Sequence, residues 1–282
     1  MTKPYTDLYT KTNFECSKLI TSRYSTSFTL GIKTLSKGYH DAIYAIYGFV
    51  RYADEIVDTF HEHDKERLLQ RFKEDTYTAI EEKISLNPVL HSFQWVVNRF
   101  AIPHDLIDAF LYSMQMDLSL KSCQKSEYER YIYGSAEVVG LMCLRVFCDG
   151  DEAEYNKLEP SARSLGAAFQ KVNFLRDLKS DYQDRGRIYF PDVRFDQFDP
   201  GAKASIEQDI ENDFKKAFEG IVQLPHGARL GVYLAYRYYI MLFNKIRKSP
   251  VQQVMTRRIR ISDSNKMLIL IQSWFRYKLN FI

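Results

Sequence analysis

The chain has 282 residues, 45% of them apolar and 15% aromatic, with a formal charge of +3, and a globule of this length buries roughly three quarters of its unfolded surface. Four cysteines, Cys16, Cys123, Cys143 and Cys148, fall in no metal-ligand spacing, and the chain opens without a charged stretch followed by an apolar one, which predicts a reduced, cytoplasmic protein. The longest apolar stretches, around Ala42 to Val50 and Val138 to Cys148, are well short of the roughly 20 residues that cross a bilayer, so no transmembrane span is expected.

Apolar periodicity is helical nearly throughout, with no alternating strand and no Asn-Gly hairpin signal, and this predicts one all-α domain over residues 1–282. Breaks at Leu35-Ser36-Lys37-Gly38, Asn87-Pro88, Pro103, Pro160, Gly186, Pro191, Pro200-Gly201, Pro225 and Ser249-Pro250 divide it into eight to ten helices. The first informative one runs from about Lys37 to Phe60. It is apolar almost all round from Ala42 to Val50, yet Tyr47, Arg51, Asp54 and Asp58 fall within about 60° of arc as one polar stripe. His61 and His63 follow the helix end and read as exposed loop residues. Cys143 and Cys148 lie on an apolar helix and read as small packed hydrophobes.

The second informative helix is predicted from about Pro160 to Asp184. Gln170, Asn173, Asp177 and Asp181 share about 80° of arc, with Arg176 beside them and Leu165, Ala168, Val172 and Leu175 on the packing side. An irregular piece from Arg185 to about Ala204 follows, long enough to suggest a functional lid. From Arg229 to Ile282 there are eleven Lys or Arg and one acid, Asp263, leaving 28 basic and 35 acidic residues upstream. Such a basic segment suits a polyanion or an anionic membrane surface, or balances an acidic face of the same molecule.

Each Asp pair is spaced i, i+4, a like-charge contact that is destabilising unless a cation sits between. Two such pairs on otherwise apolar helices suggest facing walls of one cavity, where hard oxygen ligands suit magnesium holding a polyphosphate. Two unrelated solvated faces are the alternative.

At these residues the sequence resembles the squalene/phytoene synthase family. Arg51 with Asp54-Glu55-Ile56-Val57-Asp58 resembles the first aspartate motif. Gln170-Lys171-Val172-Asn173-Phe174-Leu175-Arg176-Asp177, Asp181 and Arg185-Gly186-Arg187-Ile188-Tyr189-Phe190-Pro191 resemble the second motif and flap. Ser25-Thr26-Ser27-Phe28, Met116-Asp117-Leu118 and Tyr131-Ile132-Tyr133-Gly134-Ser135-Ala136 also match, in the family's order, from about Asn13 to Arg260. Two positions depart from many relatives: Tyr24 stands where they have His, and Glu137 follows Ala136 where they have Gly.

The resemblance implies an isoprenoid-synthase helical fold with a central cavity, magnesium (with manganese as the alternative ion) and two prenyl diphosphates. Asp54, Asp58, Asp177 and Asp181 would be catalytic and hold the metal, with Asn173 also a ligand. Arg51, Asn173, Arg176, Ser25 and Ser27 would bind substrate diphosphate, Gln170 would line the reaction centre, and Tyr131 would stand near the leaving group. Tyr47, Tyr239 and Arg258 are placed near the diphosphate site. The family reaction ionises one diphosphate, alkylates the second substrate, closes a cyclopropyl intermediate and rearranges it. The Met116-Asp117-Leu118 and Arg187-Ile188-Tyr189-Phe190-Pro191 patterns resemble phytoene synthases more than squalene synthases. The expectation is therefore geranylgeranyl diphosphate as substrate, phytoene as product and no NADPH, with farnesyl diphosphate giving presqualene diphosphate, squalene or dehydrosqualene as the alternative. A non-enzymatic assembly factor on the same fold would be expected to have lost aspartates, and all four are present. Prenyl diphosphates and peripheral contact with the inner membrane face are the expected partners, nucleic acid is not, and oligomeric state is left open.

Overall fold

Local sequence sets most helix ends. In a computed structural model describing residues 7–119, 124–185, 189–191, 198–279 and 281–282, the described residues form helices and connecting turns, with no strand among them. Asp7 caps α1 (Leu8–Tyr24), its carboxylate accepting from the Thr10 amide at 2.7 Å. Ser25 then ends α1 and caps α2 (Thr26–Lys33), and α3 (Lys37–Asp58) follows. Asp64 caps α4 (Lys65–Glu82), and Asn87 with Pro88 in the first turn starts α5 (Pro88–Phe100). Next come α6 (His104–Ser119), α7 (Lys125–Ile132), a π-turn over Tyr133–Glu137 and α8 (Val138–Cys148). The long α9 (Glu152–Arg185) precedes α10 (Pro200–Ile221), α11 (His226–Lys248), the short α12 (Val251–Thr256) and α13 (Asp263–Lys278).

Four sequence expectations change. The helices are more numerous than eight to ten. Pro160 lies inside α9 rather than at its start. It is exposed, so water can satisfy the Asn156 carbonyl that loses its helical donor. The irregular piece is shorter than 185–204, because α9 runs to Arg185 and α10 begins at Pro200; Gly186 to Ile188 and residues 192–197 lie outside the described residues. Lastly, α7, the π-turn and α8 join into a 24-residue helical run, Lys125–Cys148, with a mean hydropathy of 1.3 over its most apolar window. By length and composition that run could cross a membrane, and the charged first turn of α7 hides this from a search for apolar stretches. It is instead a core helix, 56% buried in that window, with Val138, Leu141 and Met142 essentially inaccessible.

Two large apolar clusters hold the described residues together, beside a small third one of Ile221, Tyr233 and Ile282. One gathers α1, α3–α6 and α8 around Phe49, which stacks on Phe93 with centroids 3.8 Å apart. The other gathers α7 and α9–α12 around Ala168, Val172, Leu175, Phe214 and Leu242. The α8 helix packs against both α3 and α9, which share no extensive contact with each other. Close approach of α9 to the π-turn depends on Gly166: a Cβ there would lie 2.7 Å from the Ala136 carbonyl oxygen. Glu137, at the departure from the family pattern, bonds Arg163 of α9 at 2.7 Å. Burial raises its carboxyl pKa, and Arg163 opposes that.

Candidate active site

Along α3 the buried positions alternate with a half-buried row made of Tyr47, Arg51, Asp54 and Asp58. The helix therefore shows its predicted polar stripe to a space that is neither core nor open solvent. Arg51 lies 3.8 Å from Asp54, makes a closer ion pair with Glu55, and sits over the Tyr24 ring, 4.5 Å from its centroid. Tyr24, the departure from His, thus supports Arg51 from below. Phe28 stacks on Tyr47 at 4.8 Å. Burial raises the Tyr47 phenol, opposed by Arg51, reinforced by Asp54, and lowered by hydrogen bonding to Ser25. Ser27 is half-buried on α2.

On α9, Gln170, Asn173, Arg176 and Asp177 are half-buried and Asp181 is buried, while Ala168, Val172 and Leu175 are fully packed, as the sequence pattern predicts. Arg176 Nε donates to Asp177 Oδ1 at 3.1 Å, and Arg258 Nε reaches the same oxygen at 2.7 Å. Burial presses against the Arg176 charge, but the hydrogen bond and attraction to Asp177 outweigh it and the pKa lies above the ordinary value. Burial lowers that of Arg258, with Asp177 opposing and Arg176 reinforcing. The Tyr239 hydroxyl donates to Asn173 Oδ1 at 3.2 Å, and its ring stacks on Phe169 at 3.9 Å. Burial raises the Tyr239 phenol, with Arg176 and Asn173 opposing.

The two walls meet through α11. Tyr47 on α3 lies within electrostatic reach of Tyr239, and Tyr239 within reach of Asp177. Ser25, Tyr47, Arg51, Asp54, Asn173, Arg176, Asp177, Tyr239 and Arg258 are thereby linked in one continuous set. Among the described residues no three His, Cys, Asp or Glu side chains converge on one point. Neither wall alone is a finished cation cage.

Tyr131 belongs to an adjoining buried group. Its hydroxyl donates to Asp117 Oδ2 at 2.8 Å, and Tyr189, the first described flap residue beyond α9, donates to Asp117 Oδ1 at 3.2 Å. Tyr189 also stacks on Phe174 at 4.2 Å. Burial, then the Asp117 charge, drives the Tyr131 phenol well above its ordinary pKa, so it stays protonated. Asp117, part of the Met116-Asp117-Leu118 pattern, thus accepts from two buried phenols, a role the sequence pattern does not state. Its signal was an acid flanked directly by Met116 and Leu118. His61 and His63 are exposed, and Cys148 is buried with its thiol pushed up to about 12 by burial, as expected; Cys123 lies outside the described residues.

The sequence profile of the squalene/phytoene synthase family matches residues 21–265. The 4,4'-diapophytoene synthase of Staphylococcus haemolyticus is 27% identical over 219 residues, 73% of this chain and 72% of that protein. The phytoene synthase of Arthrospira platensis is 26% identical over 284 residues, 92% and 91% of the two chains. The 15-cis-phytoene synthase of Synechococcus elongatus is 28% identical over 279 residues, 84% of each. A ligand-bound dehydrosqualene synthase structure superposes with a TM-score of 0.82 at 24% identity, covering 95% of this chain and 98% of that one. A squalene synthase structure from Alicyclobacillus acidocaldarius gives 0.75 at 18% identity, covering 86% and 96%. The fold is thus the all-α isoprenoid-synthase fold. The chain belongs to the squalene/phytoene synthase family, prenyltransferase-type enzymes that join isoprenoid units head to head.

Proposed function

We propose that the protein condenses two geranylgeranyl diphosphates into phytoene, with loss of both diphosphates and no need of NADPH. The single observation that carries the catalytic part is the position of Tyr239, which donates to Asn173 on the α9 stripe and lies within electrostatic reach of Tyr47 on the α3 stripe, while Arg258 pairs with Asp177 on the α9 side. Choice of the twenty-carbon substrate rests on the phytoene-type Met116-Asp117-Leu118 pattern. It also rests on relatives named phytoene synthase that align over 84% to 92% of the chain, against 73% for the diapophytoene synthase.

The donor set fits a divalent cation of hard character, because Asp54, Asp58, Asn173, Asp177 and Asp181 offer oxygen alone. Magnesium held by these residues and completed by diphosphate oxygens would supply the positive charge that a departing diphosphate requires. The chain's own cations do related work. Arg51, Arg176 and Arg258 neutralise the aspartates and are placed to turn toward diphosphate oxygens when these arrive. Phe169, Tyr47 and Tyr239 present ring faces that exclude water and stabilise an allylic cation. Tyr131, held protonated against Asp117, keeps a neutral hydroxyl beside the aromatic group of Phe174 and Tyr189.

Purified protein incubated with magnesium and either geranylgeranyl or farnesyl diphosphate, with and without NADPH, tests this by mass spectrometry of the hydrocarbon. Phytoene from the longer substrate without NADPH is expected. Product from farnesyl diphosphate alone, or squalene made only when NADPH is present, would move the assignment to a dehydrosqualene or squalene synthase.

A further inference from the structure

The α13 helix has two unlike faces. Ile269 and Ser273 are buried, with Leu270 and Tyr277 half-buried, where the helix packs on α11. It runs back along α11: Lys245 near the end of α11 donates to the Arg260 carbonyl at 2.7 Å, while Tyr277 meets His226 at the beginning. On the other side Met267, Leu268, Ile271, Trp274 and Phe275 are between 46% and 54% exposed, and Leu279 just beyond is 63% exposed. At 100° per residue the five in the helix occupy about 120° of arc. Single exposed apolar residues are ordinary, but a continuous apolar face of this width marks a contact surface.

The charges around that face say what contacts it. From His226 to Ser262 the sequence has no Asp or Glu, and the one acid further on is Asp263. Exposed Lys245 and Arg260 lie together near the amino end of α13, with exposed Arg257 three residues before Arg260 in sequence, and Lys278 is exposed at the carboxyl end, where Arg276 instead donates to the Tyr233 hydroxyl of α11 at 3.3 Å. Lys278 Nζ stands over the Trp274 ring, 5.9 Å from its centroid, a cation at the carboxyl end of the apolar face. An isologous contact with a second copy through this face would set one ring of cations against another. An anionic bilayer surface satisfies both features at once.

We propose that α13 docks the protein on an anionic lipid leaflet, its apolar face entering the headgroup–acyl boundary while the flanking cations meet lipid headgroups. The proposal is independent of which prenyl diphosphate is the substrate. It also differs from a purely electrostatic attachment of the basic segment, because burial of the apolar side chains is required.

Trp274 is a built-in probe, since the other tryptophan, Trp95, is packed against Phe14 in the core. The full chain is mixed with vesicles of phosphatidylcholine alone or with added phosphatidylglycerol, at low and high salt. Anionic vesicles at low salt should sediment the protein and shift its tryptophan emission to the blue, and Trp274→Phe should abolish the shift. Ile271→Gln with Phe275→Gln should weaken partitioning by roughly tenfold or more, since each removes apolar area that would enter the interface. Helicity and turnover in detergent should be unchanged, because both side chains face away from α11. Full recovery in the supernatant with anionic vesicles at low salt would overturn the proposal. So would binding that the double substitution leaves intact, or a concentration-dependent dimer that shifts Trp274 emission without lipid.

Discussion

Asp54 and Asp177 occupy equivalent places on the two walls but carry different electrostatic burdens. Arg51 beside Asp54 is also paired with Glu55 and stacked on Tyr24, whereas Arg176 and Arg258 both lean on Asp177. Asp54→Asn and Asp177→Asn should each remove nearly all turnover. Asp177→Asn should also cost about 1–2 kcal/mol of stability, the scale of a partly buried charged hydrogen bond, and Asp54→Asn less. Thermal melts beside product assays check this, and normal turnover in either variant would sink the two-walled site. A second test concerns Asp117, which accepts from two buried phenols. Tyr131→Phe and Asp117→Ala should show a coupling of about 1–2 kcal/mol in a double-mutant cycle, because each removes the same buried bond. Strict additivity would mean that the bond contributes nothing. The stripe residues were legible in the sequence because a charge on an apolar helix needs a reason. The Arg51–Glu55 pair follows from i, i+4 spacing, but the other pairings were not legible, since Tyr24 and Arg258 reach the stripes from positions that no spacing rule connects.

At the scale of helices, the boundaries set by local chemistry were legible: Asn87-Pro88, Pro200, Pro225 and Ser249-Pro250 all fall at helix ends. Pro160 was not, because an exposed proline within α9 loses one backbone bond while α8 and α10 keep the helix packed on either side. The π-turn was equally hidden, as no residue preference marks Tyr133–Glu137 apart from a helix. Its place in the packing nevertheless gives a sharp expectation. Gly134 faces the Ala109 carbonyl, at 2.4 Å from a would-be Cβ, and Gly166 faces the Ala136 carbonyl from the other side, so backbone meets backbone at both contacts. Gly166→Ala must push α9 away from the π-turn, at a cost of about 1–3 kcal/mol. Because Gln170 and Asn173 lie one and two turns further along α9, the same shift should lower kcat more than it raises KM. Denaturant melts and steady-state kinetics measure both, and an unchanged melting midpoint would show that the neighbouring carbonyl yields freely.

Over the whole molecule, twenty tyrosines and nineteen phenylalanines replace much of what aliphatic residues would otherwise fill, and the basic segment from Arg229 to Ile282 is visible in the bare sequence. The exposed face of α13 was not, because Met267-Leu268-Ile269-Leu270-Ile271 reads as a core helix until its lack of a neighbour is seen. The tyrosines make the fold sensitive to alkali. Burial raises the phenols of Tyr39, Tyr44, Tyr47, Tyr52, Tyr131 and Tyr239, distributed over both cores and the site. A phenol whose folded pKa exceeds its unfolded value of about 10 holds its proton longer in the native state. Its contribution to stability is therefore complete below about pH 10 and is lost as pH rises toward the raised folded values. In that window the unfolded chain binds fewer protons, so stability falls by up to about 1.4 kcal/mol per pH unit for each such tyrosine. Several acting together should lower stability progressively across that window. Alkaline titration followed at once by phenolate absorbance and helical circular dichroism should show the buried tyrosines ionising only as helicity collapses, in one cooperative step above about pH 10. Smooth ionisation of all twenty phenols near the free value, with helicity retained, would mean that water reaches these rings in the folded protein.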